Sequence, residues 1–384
     1  MVTQTPAGDR EKVVSKLPAA VRQELKVRAA EHGIDIQDAV ARAIEQWMAA
    51  DVPRQPVPAP GAVPFATWLP EGTWGSLRSF CTEQKLPLIQ GLVQSVQLWL
   101  TENPSPRHRP ITGIPQRKVI CNQKGGVGKT AVAAGIAQAY AEAGLRTLLI
   151  DYDPQGHLTD QLGMPTILPS KEQDTLARHM CGEADSPIAE LLVEVSDPRF
   201  GGRLHLLPAC QDAFLLDTRL ALSKLRTKES ALEKALRPLE EDHDVIVVDC
   251  PPALGTAMDA ALYYARRRDG ESAGVSGVVI PVQAEDSSAT AFAMLNDQIH
   301  AMAEDFAMEI EYLGLVVNLY ESRRGFVATS SLDNWEQLEE PRLLAVVGDL
   351  KEQREAVRRK MPLLVYAPDS EQAQMMRTIA RRIS

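Results

Sequence analysis

The sequence predicts an α/β protein: a parallel sheet with helices on both faces, preceded by a small α+β module of two strand–helix–helix repeats. Three observations carry this expectation. From Arg117 onward, short apolar segments alternate with helix-like ones, the pattern of a sheet buried on both faces. A glycine-rich stretch lies between the first of those strands and its helix. Residues 10–50 and 62–103 match one another at a constant offset of 52 positions, without a gap.

Bulk properties narrow the class. The 384 residues suffice for two or three domains, and 45% hydrophobic with 24% charged residues is an ordinary globular mixture. A net charge of −10 argues against a generally basic nucleic-acid binder and leaves room only for a local patch. The five cysteines form no C-x-x-C pair, so reduced thiols are expected rather than a zinc site or a disulfide framework. The opening MVTQTPAGDREK has no apolar signal core, and no stretch approaches the roughly 18 apolar residues of a membrane helix. A cytoplasmic protein is expected.

Two proline-rich segments, 51–64 and 102–115, divide the chain, because proline lacks a backbone donor and resists helix and central strand. The expected pieces are repeats at 10–50 and 62–103, a linker at 104–116 and a large domain at 117–384. Between the repeats, Leu17-Pro18 falls on Leu69-Pro70, Leu25 on Leu77, Ile44 on Val96 and Trp47 on Trp99. Each copy reads as an extended segment, a proline at a helix start, a helix, a turn and a second helix. Gly33 marks the turn in the first copy. Val40, Ile44 and Trp47 recur on one helical face. Alternation places Lys12, Val14 and Lys16 on one side of the first strand, and Val13, Ser15 and Leu17 on the other. The matching outward positions in the second copy are Pro64, Ala66 and Trp68.

This strand–helix–helix order resembles the ribbon–helix–helix family. The resemblance implies that two such strands pair, which normally takes two chains and which the two copies could do within one chain or between chains, and that their outward residues face the DNA major groove. Of Pro64, Ala66 and Trp68, only the indole of Trp68 could hydrogen-bond a base edge. A dimerisation or docking module is the other reading.

In the large domain, strands are expected at 118–121, 146–151, 244–249, 277–282 and 312–318, with a helix after the first ending near Gly144. The loop is NQKGGVGKT, Asn122 to Thr130. The common phosphate-binding loop reads G-x-x-x-x-G-K-[ST]. Gly128, Lys129 and Thr130 supply its end, but Gln123 stands where it opens, beside an additional lysine, Lys124. Gly125, Gly126 and Gly128 let backbone N–H groups approach phosphate oxygens at a helix start. The predicted nucleotide-binding stretch is therefore Lys124, Gly125, Gly126, Val127, Gly128, Lys129, Thr130 and Ala131. Lys129 would reach the β- and γ-phosphates, and the Thr130 hydroxyl would join a Mg2+ shell. Asp151 and Asp249 end strands, where carboxylates face a ligand crevice. Asp249 suits a Mg2+ ligand acting through water, Asp151 could share that shell, and Asp153 is placed to orient an attacking water. Singly, each aspartate could be a solvated strand end or a helix cap; together with the loop they read as one site.

The segments KGGVGKT, DYDPQG, DCPPALG and PVQAEDSSATAF, in this order and spacing, resemble the ParA branch of the ParA/MinD deviant Walker A ATPases. The resemblance spans 117–384 and implies a P-loop NTPase fold, ATP and Mg2+ as cofactors, and an ATP-dependent homodimer. It makes Lys124 the signature lysine that reaches the partner's phosphates, so Gln123 is no defect. It makes Asp153 the water-orienting residue and Asn318 an adenine contact. Ala131 and His157 depart from the family's usual Thr or Ser and Asn. The resemblance further implies non-specific DNA binding, a ParB-like stimulating partner and nucleoid association in DNA partition. Candidate DNA contacts are Arg323, Arg324, Arg354, Arg358, Arg359, Lys360, Arg377, Arg381 and Arg382. The MinD branch ends in a longer amphipathic membrane helix; the short tail EQAQMMRTIARRIS makes a membrane partner unexpected. Two alternatives stand beside this reading: an ATP-controlled autoregulator using the N-terminal module on an operator, and a positioning ATPase with a protein cargo.

Overall fold

The computed structural model describes residues 10–32, 34–50, 62–103, 113–168, 173–321, 323 and 325–384. The chain forms two compact units that divide between residues 109 and 110.

In the first unit, β1 (Arg10–Pro18) and β2 (Ala62–Pro70) form an antiparallel ribbon, from Arg10↔Pro70 to Pro18↔Ala62. Val14 pairs with Ala66, which is also its counterpart in the second repeat. Register and repeat therefore share one pseudo-twofold axis through that pair. Helices α1 (Ala19–Glu31) and α2 (Ile36–Ala49) follow β1, and α3 (Thr73–Glu83) and α4 (Leu88–Glu102) follow β2. Each strand sends alternate residues inward: Val13 and Leu17 from β1, Phe65 and Leu69 from β2. They meet Val40, Ile44 and Trp47 of α2 and Val96 and Trp99 of α4 in one core. Lys12, Val14 and Lys16, with Pro64, Ala66 and Trp68, lie on the exposed side, as alternation requires. The repeats differ in how they close. Phe80 packs edge-on to Trp47 at 5.5 Å between ring centres. Its counterpart Arg28 instead donates to the carbonyls of Leu100 and Asn103, at 3.1 and 2.6 Å, satisfying the end of α4. The turn marker Gly33 lies outside the described residues, as do positions 51–61 and 104–112.

Among the described residues, the second unit is built on eight strands: β3 (Gln116–Ile120), β4 (Thr147–Asp151), β5 (Val193–Glu194), β6 (Leu204–Leu207), β7 (Val245–Asp249), β8 (Gly277–Val282), β9 (Tyr312–Tyr320) and β10 (Leu343–Gly348). Their order is β10-β9-β8-β3-β7-β4-β6-β5. Pairing is parallel except at one edge, where the two-residue β5 runs antiparallel to β6. Helices follow in chain order: α5 (Lys129–Glu142), α6 (His157–Gln161), α7 (Leu176–Cys181), α8 (Leu216–Leu222) and α9 (Ala231–Leu236). Then come α10 (Thr256–Ala265), α11 (Asp286–Asp305), α12 (Phe326–Glu336), α13 (Lys351–Arg358), α14 (Leu363–Tyr366) and α15 (Glu371–Arg382).

Strand residues alternate between two cores. Ile246 and Val248 join Leu148, Ile150, Leu232 and Leu262 on one face. Val245 and Val247 join Leu149, Ile136, Met376 and Ile379 on the other. The apolar face of α15 is thus spent against α5. A Cβ on Gly135 of α5 would lie 2.4 Å from Cγ of Met376, so the missing side chain is what admits α15.

The first central strand, expected at 118–121, spans Gln116–Ile120. Its start carries two fully buried cations. Arg117 pairs with Glu271 at 2.6 Å and donates to the carbonyls of Tyr264 and Arg266, each at 2.9 Å. Lys118 donates to the carbonyls of Val275 and Ile383. The hydration lost on burial is offset only where such partners exist, and both cations have them. Among the described residues no helix is long and apolar enough to cross a membrane.

Candidate nucleotide site

The loop between β3 and α5 is strapped to three other elements. Asn122, fully buried, donates through Nδ2 to the Pro281 carbonyl at 2.7 Å, while its Oδ1 accepts from the Lys124 amide at 3.0 Å. Gln123 donates to the Ala291 carbonyl at 3.2 Å. Asn318, at the end of β9, donates to the Val127 carbonyl at 3.0 Å. Gly126 and Gly128 take left-handed backbones, with φ of 79° and 83°. At Gly128 a Cβ would sit 2.0 Å from Nδ2 of Asn318, so conformation and space both demand glycine.

Lys129 opens α5 and is buried, with Nζ donating to the Lys124 carbonyl at 3.0 Å. Burial lowers its pKa; the nearby Asp249, Cys250, Asp153 and Cys121 act in the opposite direction. The Lys124 side chain turns the other way. Its Nζ forms an ion pair with Glu285 and a hydrogen bond of 2.6 Å with Ser287, both at the start of α11.

The aspartates are brought together by sheet register. Asp249 is level with Ile120 on one side and Asp151 on the other, so both carboxylates stand at the same height as the root of the loop. Both are almost completely buried. Asp151 Oδ2 accepts from the amide and hydroxyl of Thr159, at 2.7 and 2.6 Å. Its Oδ1 and both oxygens of Asp249 are buried with no donor at full hydrogen-bond geometry, the Thr130 hydroxyl lying beside Asp249. Burial pushes the Asp151 pKa up to about 6, against the two bonds from Thr159. Burial first, and the Asp151 charge second, push Asp249 well above the usual carboxylate range, with the Thr130 hydroxyl and Lys129 opposing. Buried carboxylate oxygens lacking donors, next to a hydroxyl, form an all-oxygen donor set. It fits a hard divalent cation such as Mg2+, which takes one or two carboxylates and keeps several waters.

Asp153 sits in a fixed turn: Oδ1 accepts from the Gln155 amide at 2.9 Å, and its carbonyl accepts from the Gly156 amide at 2.9 Å. The Tyr152 amide donates to the Asp249 carbonyl at 3.0 Å, extending strand pairing to the foot of that turn. His157 is exposed at the start of α6.

Sequence reasoning missed Asn122, Thr159, Glu285 and Ser287. Asn122 opens the NQKGGVGKT loop, and Glu285 and Ser287 lie within PVQAEDSSATAF, but neither segment signals which side chains they meet; Thr159 meets Asp151 only because α6 folds back on β4. The basic candidates for DNA contact separate. Arg377 is committed to Glu142, which also holds Arg199 at 2.7 Å. Arg354 pairs with Asp349, Lys360 with Asp160 at 2.7 Å, and Arg382 donates to the Leu344 carbonyl. Arg323, Arg358, Arg359 and Arg381 are exposed, and Arg324 lies outside the described residues.

The family model described as AAA domain matches residues 117–312. The chromosome partitioning protein ParA of Myxococcus xanthus is 33% identical over 210 residues, covering 54% of this chain and 66% of that protein. The chromosome-partitioning ATPase Soj of Thermus thermophilus is 33% identical over 208 residues, 54% of this chain and 71% of that protein. The chain thus spans about two thirds of the length of these relatives. Among solved structures, cobyrinic acid a,c-diamide synthase from Mycobacterium smegmatis, with a bound ATP analogue and magnesium, is 28% identical with a TM-score of 0.51. That match covers 64% of this chain and 92% of the synthase.

Proposed function

The chain belongs to the ParA/Soj family of P-loop ATPases, and from that premise we propose that it is a Mg2+-dependent ATPase of DNA partition. In this reading two copies close around ATP, the dimer binds non-specific DNA on the nucleoid, and a ParB-like partner speeds hydrolysis and release. The observation that supports it most directly is the pair of buried strand-end carboxylates, with unpartnered oxygens, beside Lys129 and Thr130. The ATP analogue and magnesium of the Mycobacterium smegmatis synthase support the same ligands here.

The roles follow from the chemistry of each group. Backbone N–H groups of Gly125 to Ala131 surround the phosphates, and Lys129 contributes its charge to the β- and γ-phosphates. Thr130, Asp151 and Asp249 hold Mg2+, which neutralises phosphate charge when bound. Asp153 orients the attacking water, and Lys124 reaches the phosphates held by the partner copy. Asn318 has used its amide nitrogen on the loop, which leaves its oxygen as the acceptor for the adenine amino group.

The test has three arms. Lys129→Ala is expected to abolish ATP binding. Asp153→Ala is expected to keep binding and slow hydrolysis by about 10²–10⁴-fold, the usual weight of a group that manages the reacting water. DNA binding is expected with ATP, weakly with ADP, and not in Lys124→Ala. Retention on DNA that ignores nucleotide would sink the clamp reading.

The paired ribbon supports a second reading, in which the N-terminal unit binds an operator and ATP sets the oligomeric state. Footprinting with the full chain and a Lys12→Ala/Lys16→Ala variant decides it: a protected operator lost in the variant favours the regulator.

A further inference from the structure

We infer that Glu285, assisted by Ser287, is the positioning residue that holds Lys124 within its own subunit until a partner's ATP competes for it. The inference rests on the dimer reading for its consequence, but on this chain's own contacts for its existence.

The main chain of Lys124 is pinned on both sides. Its amide donates to Asn122, and its carbonyl accepts from Lys129. Only the flexible four-carbon stem and its ammonium are left to move. That ammonium is fully engaged at the start of α11: it pairs with Glu285, donates to Ser287 at 2.6 Å and reaches Ser288 at 3.4 Å. The Ser287 hydroxyl in turn donates to Glu285 at 3.2 Å, fixing the carboxylate that receives the lysine. In this state Lys124 offers nothing to a second copy.

The pair is made to be broken. The side chains of Lys124 and Glu285 are 20% and 37% exposed, so the ion pair is screened by solvent. Pairs of this kind shift an equilibrium by at most about fivefold. A triphosphate carries several charges and draws an ammonium far more strongly. Glu285 therefore sets how much ATP is required before Lys124 changes partner, without blocking the change.

Two readouts test this in the full chain. The first is acylation of Lys124 by a soluble active ester without nucleotide, followed by mass spectrometry against other exposed lysines. Glu285→Gln is expected to raise Lys124 labelling about threefold or more, and Glu285→Asp to stay near wild type. The second is dimer fraction by light scattering as Mg2+ and ATP are titrated. Glu285→Gln is expected to dimerise at up to about fivefold lower ATP. Lys124→Ala/Glu285→Gln is expected to do no better than Lys124→Ala. Unchanged labelling in Glu285→Gln, or a higher ATP requirement, overturns the inference. Increased labelling in a protein that never dimerises on ATP leaves the latch standing and removes the dimer reading instead.

Discussion

Lys118 shows what one buried charge does to the whole stability curve. It is fully buried, and desolvation first, then the neighbouring charge of Arg117, lower its pKa to about 7 from 10.5; Glu271 and Glu311 oppose this. In the unfolded chain the amine keeps its proton up to its ordinary pKa. Between about pH 7 and 10 the unfolded state therefore binds more protons, and stability attributable to this residue rises with pH. Below pH 7 both states are protonated and that gain is absent. Denaturant unfolding at pH 7, 8 and 9, wild type against Lys118→Met, should show wild type gaining by at most about 1.4 kcal/mol per pH unit relative to the variant. A constant difference across this range would mean that the amine stays protonated in the fold. Asn318 belongs to the same scale. Asn318→Ala removes the strap on the Val127 carbonyl, a buried hydrogen bond worth about 0.5–1.5 kcal/mol. Its expected reading is ATP affinity several-fold weaker, by calorimetric titration.

At the scale of elements, the junction of α5 with α15 sets a limit on substitution. Alanine is the better helix former by about 1 kcal/mol, which would favour Gly135→Ala in a free helix. Here the new methyl meets Cβ and Cγ of Met376, close to the α15 backbone and unable to swing away. Overpacking of this kind costs about 1–3 kcal/mol and should win. A lower melting temperature for Gly135→Ala, recovered in part by Gly135→Ala/Met376→Ala, is the expected result. The same elements show what the sequence reveals and why. Strand β8 falls at 277–282 as its apolar run indicates, and the loop, α5 and the acidic ends of β4 and β7 fall into place, because each is a local pattern. The two-residue β5 leaves no run to read. Buried Lys118 looks polar in the sequence, since the carbonyls that receive it lie 157 and 265 positions away. Glu285 is 161 positions from Lys124, and only the sheet order makes them neighbours.

At the scale of the molecule, each unit has its own apolar core, and the candidate nucleotide residues belong to the second. A ligand stabilises only what it binds. Scanning calorimetry of the full chain should resolve two transitions. Mg2+ with ATP at about a hundredfold excess over its Kd should raise the second unit's transition by about 2.7 kcal/mol and leave the other in place. Movement of both by equal amounts would show one cooperative system.

The ribbon, with Val14 opposite its own repeat counterpart, carries a different kind of consequence. A ribbon assembled from two identical chains falls apart on dilution, and every mutation strikes both halves at once. Joined in one polypeptide, the halves meet by a first-order event, so the ribbon persists at any concentration, down to a few molecules per cell. Each half is also free to drift alone. Lysines line one strand while proline, alanine and tryptophan line the other, so whatever lies against this surface need not share the ribbon's symmetry.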